Sequence, residues 1–391
     1  MMKHYYQLYD GASLRLTKPN FRILRIIMAN TEKTKSKFDL IYINSESEFL
    51  QNTWYVIARD DEIQQRLESR KILGTNILLY RDSEGHAVAL DDACPHRKLP
   101  LSMGKLCGDT VQCGYHGLTF DASGKCISAP TQDRIPDTAV VRSYPIAERY
   151  GLLWVWMGEP QLADESKILQ VEDYEDSAWG RTEGGVLECK CHYLLLLDNL
   201  LDPSHVAWVH QTSFASAGTT NVPLEMSETD DGVVVSRWIN NIDPPPYYAP
   251  MLCFSGKVDR YQHYEARMPA VAVNIGTYTQ AGLGGDDDNL PENAYRMRSY
   301  HFITPVDSNT TRYFWFQHYN TNISDQAVKQ SLNDGARSAF EEDRVVLEAV
   351  HAGLNSHPRP TIDLRLDKGA RDFRKKLDGL IRAEKLAVKQ R

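Results

Sequence analysis

"CPHRKLPLSMGKLCGDTVQCGYHG", residues 94–117, holds two pairs of soft metal ligands: Cys94-x-His96 and, after sixteen intervening residues, Cys113-x-x-His116. Each pair offers one thiolate and one imidazole, so two loops must meet if all four are to serve one centre. Pro95 and Pro100 stiffen the first loop, and Gly104, Gly108, Gly114 and Gly117 let backbone amides approach whatever the sulfurs hold. The flanking text consists of short β-rich runs, "KILGTNILLYRD", "HAVALDD", "AVVRSYPIAE" and "GLLWVWMG", separated by Gly, Pro, Asp and Asn. That pattern predicts a small all-β domain over residues 46–160.

Working outward, the chain of 391 residues is 42% hydrophobic and 25% charged, enough for two or three domains with real cores. Its net charge of -8, with 12 histidines counted neutral, argues against nucleic acid or an anionic membrane surface as a partner. No apolar run reaches the roughly 18 residues of a transmembrane helix. "FRILRIIMAN" is short, is interrupted by Arg22 and Arg25, and lacks a secretory cleavage pattern. It reads as an extension, with Met28 an alternative start. Seven cysteines at irregular spacing point to free thiols in a reducing, cytoplasmic compartment. Residues 1–45, basic and poorly periodic, read as a partly disordered extension. Residues 161–391 mix strands ("GVVVSRWINNI", "YRMRSYHFITP", "TTRYFWFQHYN") with helical text ("AVKQSLNDGARSAFEEDRVVLEAVHAGL" and a C-terminal helix after residue 365), an α+β pattern.

Zinc is the default for a Cys/His quartet, but zinc fingers commonly pair Cys with Cys and His with His. In a Rieske [2Fe-2S] centre two cysteines hold one iron and two histidines the other, so each loop must supply one ligand to each iron. The observed spacing meets that requirement. Neutral imidazoles place such centres at about -150 to +300 mV. Cys107, Cys126, Cys189, Cys191 and Cys253 read as ordinary free thiols.

"YLLLLDNLLDPSHVAWVH", residues 193–210, sets His205 and His210 beside Asp198 and Asp202 in apolar surroundings, where ionisable groups are costly unless paired or metal-bound. Two histidines and a carboxylate on one face form the facial triad of non-haem Fe(II) oxygenases. Five residues turn a regular helix by about 140°, so a helix end or break is expected between His205 and His210. In "ARSAFEEDRVVLEAV" the helical neighbours of Asp343 are Ala339, Phe340, Val346 and Leu347, an apolar stripe, whereas Glu341 neighbours Arg337 and Arg344. A carboxylate on the buried face needs a cation, so Asp343, and not Glu341 or Glu342, is the expected third ligand. A buried aspartate satisfied by an arginine is the alternative.

The two ligand pairs together with "DNLLDPSHVAWVH" and "FEEDRVVLEA" resemble the large subunit of the Rieske non-haem iron oxygenases over about residues 45–385. "YHGLTF", "LLWVWMGEP" and "NLLDPSHVAWVH" are similar to its monooxygenase branch, typified by vanillate O-demethylase and toluenesulfonate methyl-monooxygenase oxygenase components. The resemblance does not extend to the N-terminal extension and assigns it no role. The resemblance implies a catalytic domain with a curved antiparallel sheet and helices, in a helix-grip arrangement. It implies that Cys94, His96, Cys113 and His116 hold the cluster, and His205, His210 and Asp343 a mononuclear Fe(II). Asp202 would bridge His205 to the cluster ligand His116 of a neighbouring subunit in a head-to-tail homo-oligomer, commonly a trimer, or would cap a helix begun by Pro203. Asn199 would lie near the iron, and His301 in the substrate pocket or simply in the core. His263 and His318 are weaker candidates, and His192 reads as structural. Electrons would come from NAD(P)H through a separate reductase or ferredoxin, since the chain carries no dinucleotide fingerprint. With O2, a small aromatic and acidic substrate would be hydroxylated or O-demethylated. Ring cis-dihydroxylation uses the same seven ligands, and a non-catalytic Rieske carrier or redox sensor is the more distant alternative. "RWINNIDPPPYYAP" is expected to line or gate the pocket, and Arg237 within it to be an anchor or a surface residue.

Overall fold

Between Trp54 and Trp156 the apolar runs are too short for helices and fold as ten strands in the computed structural model, which describes residues 49–130, 132–216, 219–285, 289–357 and 359–389. The expected extension over residues 1–45 lies outside the described residues. The strands are β1 (Trp54–Arg59), β2 (Glu68–Ile72), β3 (Thr75–Arg81), β4 (Ala87–Asp91), β5 (Lys105–Cys107), β6 (Thr110–Gln112), β7 (Thr119–Phe120), β8 (Cys126–Ser128), β9 (Ile146–Arg149) and β10 (Leu152–Trp156). They form three antiparallel sheets, ordered β1-β10-β9, β2-β3-β4 and β5-β6-β7-β8. A core of Leu78, Tyr80, Leu90, Leu101, Val111 and Phe120 also contains Cys94 and Cys113, so the ligand loops are seated by packing.

The remaining strands are β11 (Gly180–Arg181), β12 (Gly185–Cys189), β13 (Glu225–Glu228), β14 (Gly232–Ile242), β15 (Val258–Arg267), β16 (Val271–Gln280), β17 (Tyr295–Pro305) and β18 (Thr311–Tyr319). They make one eight-stranded antiparallel sheet, β11-β18-β17-β16-β15-β14-β13, with β12 also paired to β18. Strand alternation gives this sheet two different faces. One carries Val271, Val273, Tyr300, Phe302, Phe314 and Phe316, which pack against Trp54, Val56, Trp154 and Trp156 of β1 and β10. This shared core crosses the boundary expected near Pro160. The opposite face carries Gln262, Asn274, Met297, Ser299, His301 and Gln317 toward the catalytic candidates.

Four helices lie among the described residues: α1 (Tyr193–Leu200), α2 (Val206–Val209), α3 (Gln326–Ser356) and α4 (Lys368–Lys389). Asp325 caps α3 by accepting from the amides of Ala327 and Val328. The buried stripe of α3 is Leu332, Ala336, Ala339, Phe340, Asp343, Leu347 and His351. Val346, expected on that stripe, is 39% exposed because Leu347 takes the inward position. Asp198 on α1 is paired with the buried Arg374 on α4, which gives that aspartate a structural partner. Glu384 on α4 accepts from the amides of Gln51 and Asn52, fastening the C-terminal helix to the start of the β domain. No described helix is long and apolar enough to cross a membrane.

Candidate metal centres and the cavity beside them

The two cysteine loops are copies of one turn. The amide of Cys94 donates to the carbonyl of Leu99 at 2.9 Å, and that of Lys98 to Cys94 at 2.9 Å. In the second loop the amide of Cys113 donates to Leu118 at 2.8 Å, and that of Gly117 to Cys113 at 3.1 Å. Lys98 and Gly117, at the same place in each turn, take positive φ of 61° and 73°. Gly104 has a different task from the expected one: a Cβ there would stand 2.2 Å from the Gln112 carbonyl, so its bareness lets strands approach.

Cys94 and Cys113 are each 2% exposed, whereas His96 is exposed and His116 half-buried, with their rings 4.5 Å apart. The thiols therefore point into the core and the imidazoles toward the surface. Burial, opposed by the His96 amide and reinforced by the Cys113 thiol, pushes the Cys94 thiol up, so loading a metal group here must expel a proton. Among the described residues one set of such donors closes within 4.8 Å, and it is not this quartet. A tetrahedral zinc, with bonds of about 2.0–2.3 Å, would need all four donors that close. The wider arrangement suits a two-iron cluster.

The set that does close is His205, His210 and Asp343. His205 is the N-cap of α2 and His210 its C-cap, with φ -104° and ψ 43°, so one turn of helix separates them and the second has left it. This is the expected helix end, and it lets both Nε2 atoms converge on Asp343 Oδ1, at 3.5 Å from His205 and 3.3 Å from His210. Asn199 Nδ2 donates to the same oxygen at 3.1 Å. No arginine or lysine is paired with Asp343 among these contacts, and the carboxylate is only 4% exposed. A buried carboxylate facing two imidazoles is a donor set that could hold a metal ion.

Each imidazole is also held from behind. His205 Nδ1 meets the carbonyl of Asp202, and His210 Nδ1 lies 2.7 Å from Glu342 Oε2. Burial opposes charging of His210, but Asp343 and Glu342 outweigh it and raise the ring above its ordinary value. Glu342 lies behind the His210 ring, a position that the sequence reading does not assign to it. The available signal was that a metal-bound histidine needs a partner on its other nitrogen. Asp202 does not cap a helix: its carboxylate accepts from the Ser204 amide at 2.7 Å in a tight turn, and helix α2 starts only at Val206. The Pro203 carbonyl in this turn accepts from Arg237 at 3.3 Å.

Asn199, His205, His210 and Asp343 line a cavity walled by Phe214, Tyr248, Ile275, Met297 and Phe340. His301 also lines it, 1% exposed, with Nδ1 2.6 Å from the Tyr313 hydroxyl and Nε2 buried without a partner. Burial lowers its pKa to about 3, so it is neutral at working pH. Of the "RWINNIDPPPYYAP" segment only Tyr248 reaches the lining. Arg237 is no surface residue: it is 5% exposed, and its guanidinium donates to Gln262 and to the carbonyls of Thr219, Val222 and Pro203. His318 lies on the other sheet face beside Asp173, and His263 beside Glu265, both apart from the cavity. His192 caps α1 by accepting from the Leu194 amide, beyond the strand that ends at Cys189.

Residues 53–145 match the Rieske [2Fe-2S] domain, and residues 189–383 the vanillate O-demethylase oxygenase C-terminal domain. The chain is 36% identical over 341 residues to an iron-sulfur subunit of the toluene-4-sulfonate monooxygenase system of Comamonas testosteroni, covering 86% of this chain and 98% of that one. It is 33% identical to a vanillate O-demethylase oxygenase subunit of a Pseudomonas species, covering 87% and 97%. Among solved structures, dicamba monooxygenase bound to 3,6-dichlorosalicylic acid superposes with a TM-score of 0.79 at 30% identity, covering 86% of this chain and 99% of that one.

Proposed function

Because this chain belongs to the Rieske non-haem iron oxygenases, as the oxygenase component of a multicomponent monooxygenase, we propose that it oxidises a methyl or methoxy group on a small aromatic acid. The observation that carries this reading is the His205, His210 and Asp343 set opening onto an aromatic-walled cavity. The named substrates of its relatives, toluene-4-sulfonate, vanillate and dicamba, support an aromatic acid and favour monooxygenation over ring cis-dihydroxylation. Residues 46–160 would form the electron-carrying domain and residues 161–391 the catalytic one.

Cys94, His96, Cys113 and His116 would hold the cluster, and His205, His210 and Asp343 the single iron. When bound, the iron supplies activation of O2 and the cluster supplies electrons one at a time. The Asp202 carbonyl keeps the proton on His205 Nδ1, which leaves Nε2 free to bind the cation. Glu342 does the same for His210, and the proton favoured on that ring must leave on loading. Asn199 orients Asp343 through its Oδ1. Phe214, Tyr248, Ile275, Met297 and Phe340 exclude water and accept a flat ring, while His301 Nε2 is free to meet a polar substituent.

Electrons enter from a reductase or ferredoxin. We place the protein in the cytoplasm, where its cysteines stay reduced. A head-to-tail trimer would bring the surface-facing His116 of one subunit to Asp202 and His205 of the next. Tyr115, 58% exposed against His116, and Trp208, 70% exposed on α2, supply apolar surface for such a contact. The test is NADH-coupled O2 uptake with a surrogate reductase on methyl and methoxy aromatic acids. Formaldehyde or a benzylic alcohol is expected, and a dihydrodiol would overturn the reading.

A further inference from the structure

We propose that Arg260 anchors an anionic group on the substrate, a carboxylate or sulfonate borne by an aromatic ring; this deepens, and rests on, the function proposed above. Arg260 stands on β15, shares a sheet face with Gln262 and Tyr264, and lines the same cavity as the histidine and aspartate set. It is 2% exposed.

Three arginines are this deeply buried among the described residues: Arg237, Arg260 and Arg374. Arg374 is matched by Asp198, and Arg237 is surrounded by the Gln262 amide and three backbone carbonyls. Arg260 has far less. Its Nη1 donates to the Phe214 carbonyl at 3.0 Å, while Nε is buried with no partner. The rings of Tyr248 and Tyr278 lie 5.7 and 5.5 Å from the guanidinium carbon, and no carboxylate of the described residues forms an ion pair with it. The adjacent Asp259 faces away and is occupied by the amides of Asn241, Gly282 and Gly284.

A guanidinium that has left water needs charge compensation, and tyrosine faces supply only part of it. The planar fork matches a carboxylate or sulfonate in two-point contact. Phe214, whose carbonyl holds the guanidinium, packs its ring 5.5 Å from His210. The anion site and the candidate iron site therefore share one wall of the cavity.

Calorimetric titration of the full-length protein with paired probes tests this: 4-methoxybenzoate against 4-methoxybenzamide, and 4-methylbenzenesulfonate against its sulfonamide. The anions should bind about 10- to 100-fold more tightly than their neutral partners. Arg260→Gln should abolish that preference, and Arg260→Lys should keep part of it. Should the glutamine variant fail to fold by circular dichroism, the lysine variant and the wild-type ratio decide. Equal binding of anion and amide by the wild type, or an unchanged preference in both variants, overturns the assignment. Turnover is followed separately: anion preference without NADH-coupled oxidation of any probe would sink the proposed function while leaving the anchor standing.

Discussion

Cys94 and Cys113 are held by turns that close within five residues, whereas Asp343 meets His205 and His210 only because a 31-residue helix is laid across a turn far away in the sequence. The contacts that fix the second site, Asn199 with Asp343 and His210 with Glu342, span 144 and 132 residues. The first site is thus a local structure seated in a small core, and the second is a product of the whole catalytic half. A disturbance of the loops should stay local. A disturbance of the catalytic half should reach its ligands.

The largest separation comes from paired ligand removals. Asp343→Ala should lower iron from three to two per chain, retain the visible absorbance of the cluster and leave no measurable product. Cys113→Ala should do the reverse, bleaching the cluster while the protein still binds substrate. Iron analysis, absorbance and substrate titration distinguish them, and loss of both centres in either variant would break the comparison.

Asp202→Asn tests whether the two sites communicate across subunits. Both metal contents should remain normal while NADH-coupled product falls by about 100-fold. Full activity with intact coupling would remove the bridge. Glu342→Gln should act less severely, weakening iron retention by about 10- to 100-fold without altering the cluster, as measured by chelator competition.

The smallest effect is expected on the sheet face opposite the cavity. Asp173 is 4% exposed there, accepts from the Tyr300 hydroxyl at 2.7 Å and lies 3.0 Å from His318 Nδ1 and 3.4 Å from Arg298. Burial alone would raise its pKa, but the contacts with His318 and Tyr300 and the charges of His318 and Arg298 prevail and hold it below its ordinary value. Its stabilisation is therefore complete above the unfolded carboxylate range and is lost as pH falls through the lower folded value. Asp173→Asn should cost about 1–3 kcal/mol at pH 7, with a deficit that shrinks below about pH 4 in denaturant titrations.

Much of the architecture was legible because it depends on neighbours in sequence. Short β runs between turn formers, the helical text from Ala327 onward and the break between His205 and His210 all follow from local rules. The apolar stripe around Asp343 was legible for the same reason, apart from Val346. Asp202 reads from its sequence neighbours as a bridge or a cap, and of the two the cap is absent because the helix after it starts only at Val206. Arg237 and Arg260 lie on neighbouring strands and are indistinguishable as text. Only their surroundings separate a satisfied arginine from an unsatisfied one.

The amino-acid order alone determined which short segments can offer thiolates, imidazoles or a buried carboxylate, since turns, caps and helical stripes are decided over a few residues. Tertiary structure decided which face of the large sheet meets the β domain and which encloses a cavity, which carboxylate backs His210, and which guanidinium is left without a counter-charge. Those outcomes depend on desolvation by groups that lie far apart along the chain, and desolvation is set only when the sheet and the long helix close together.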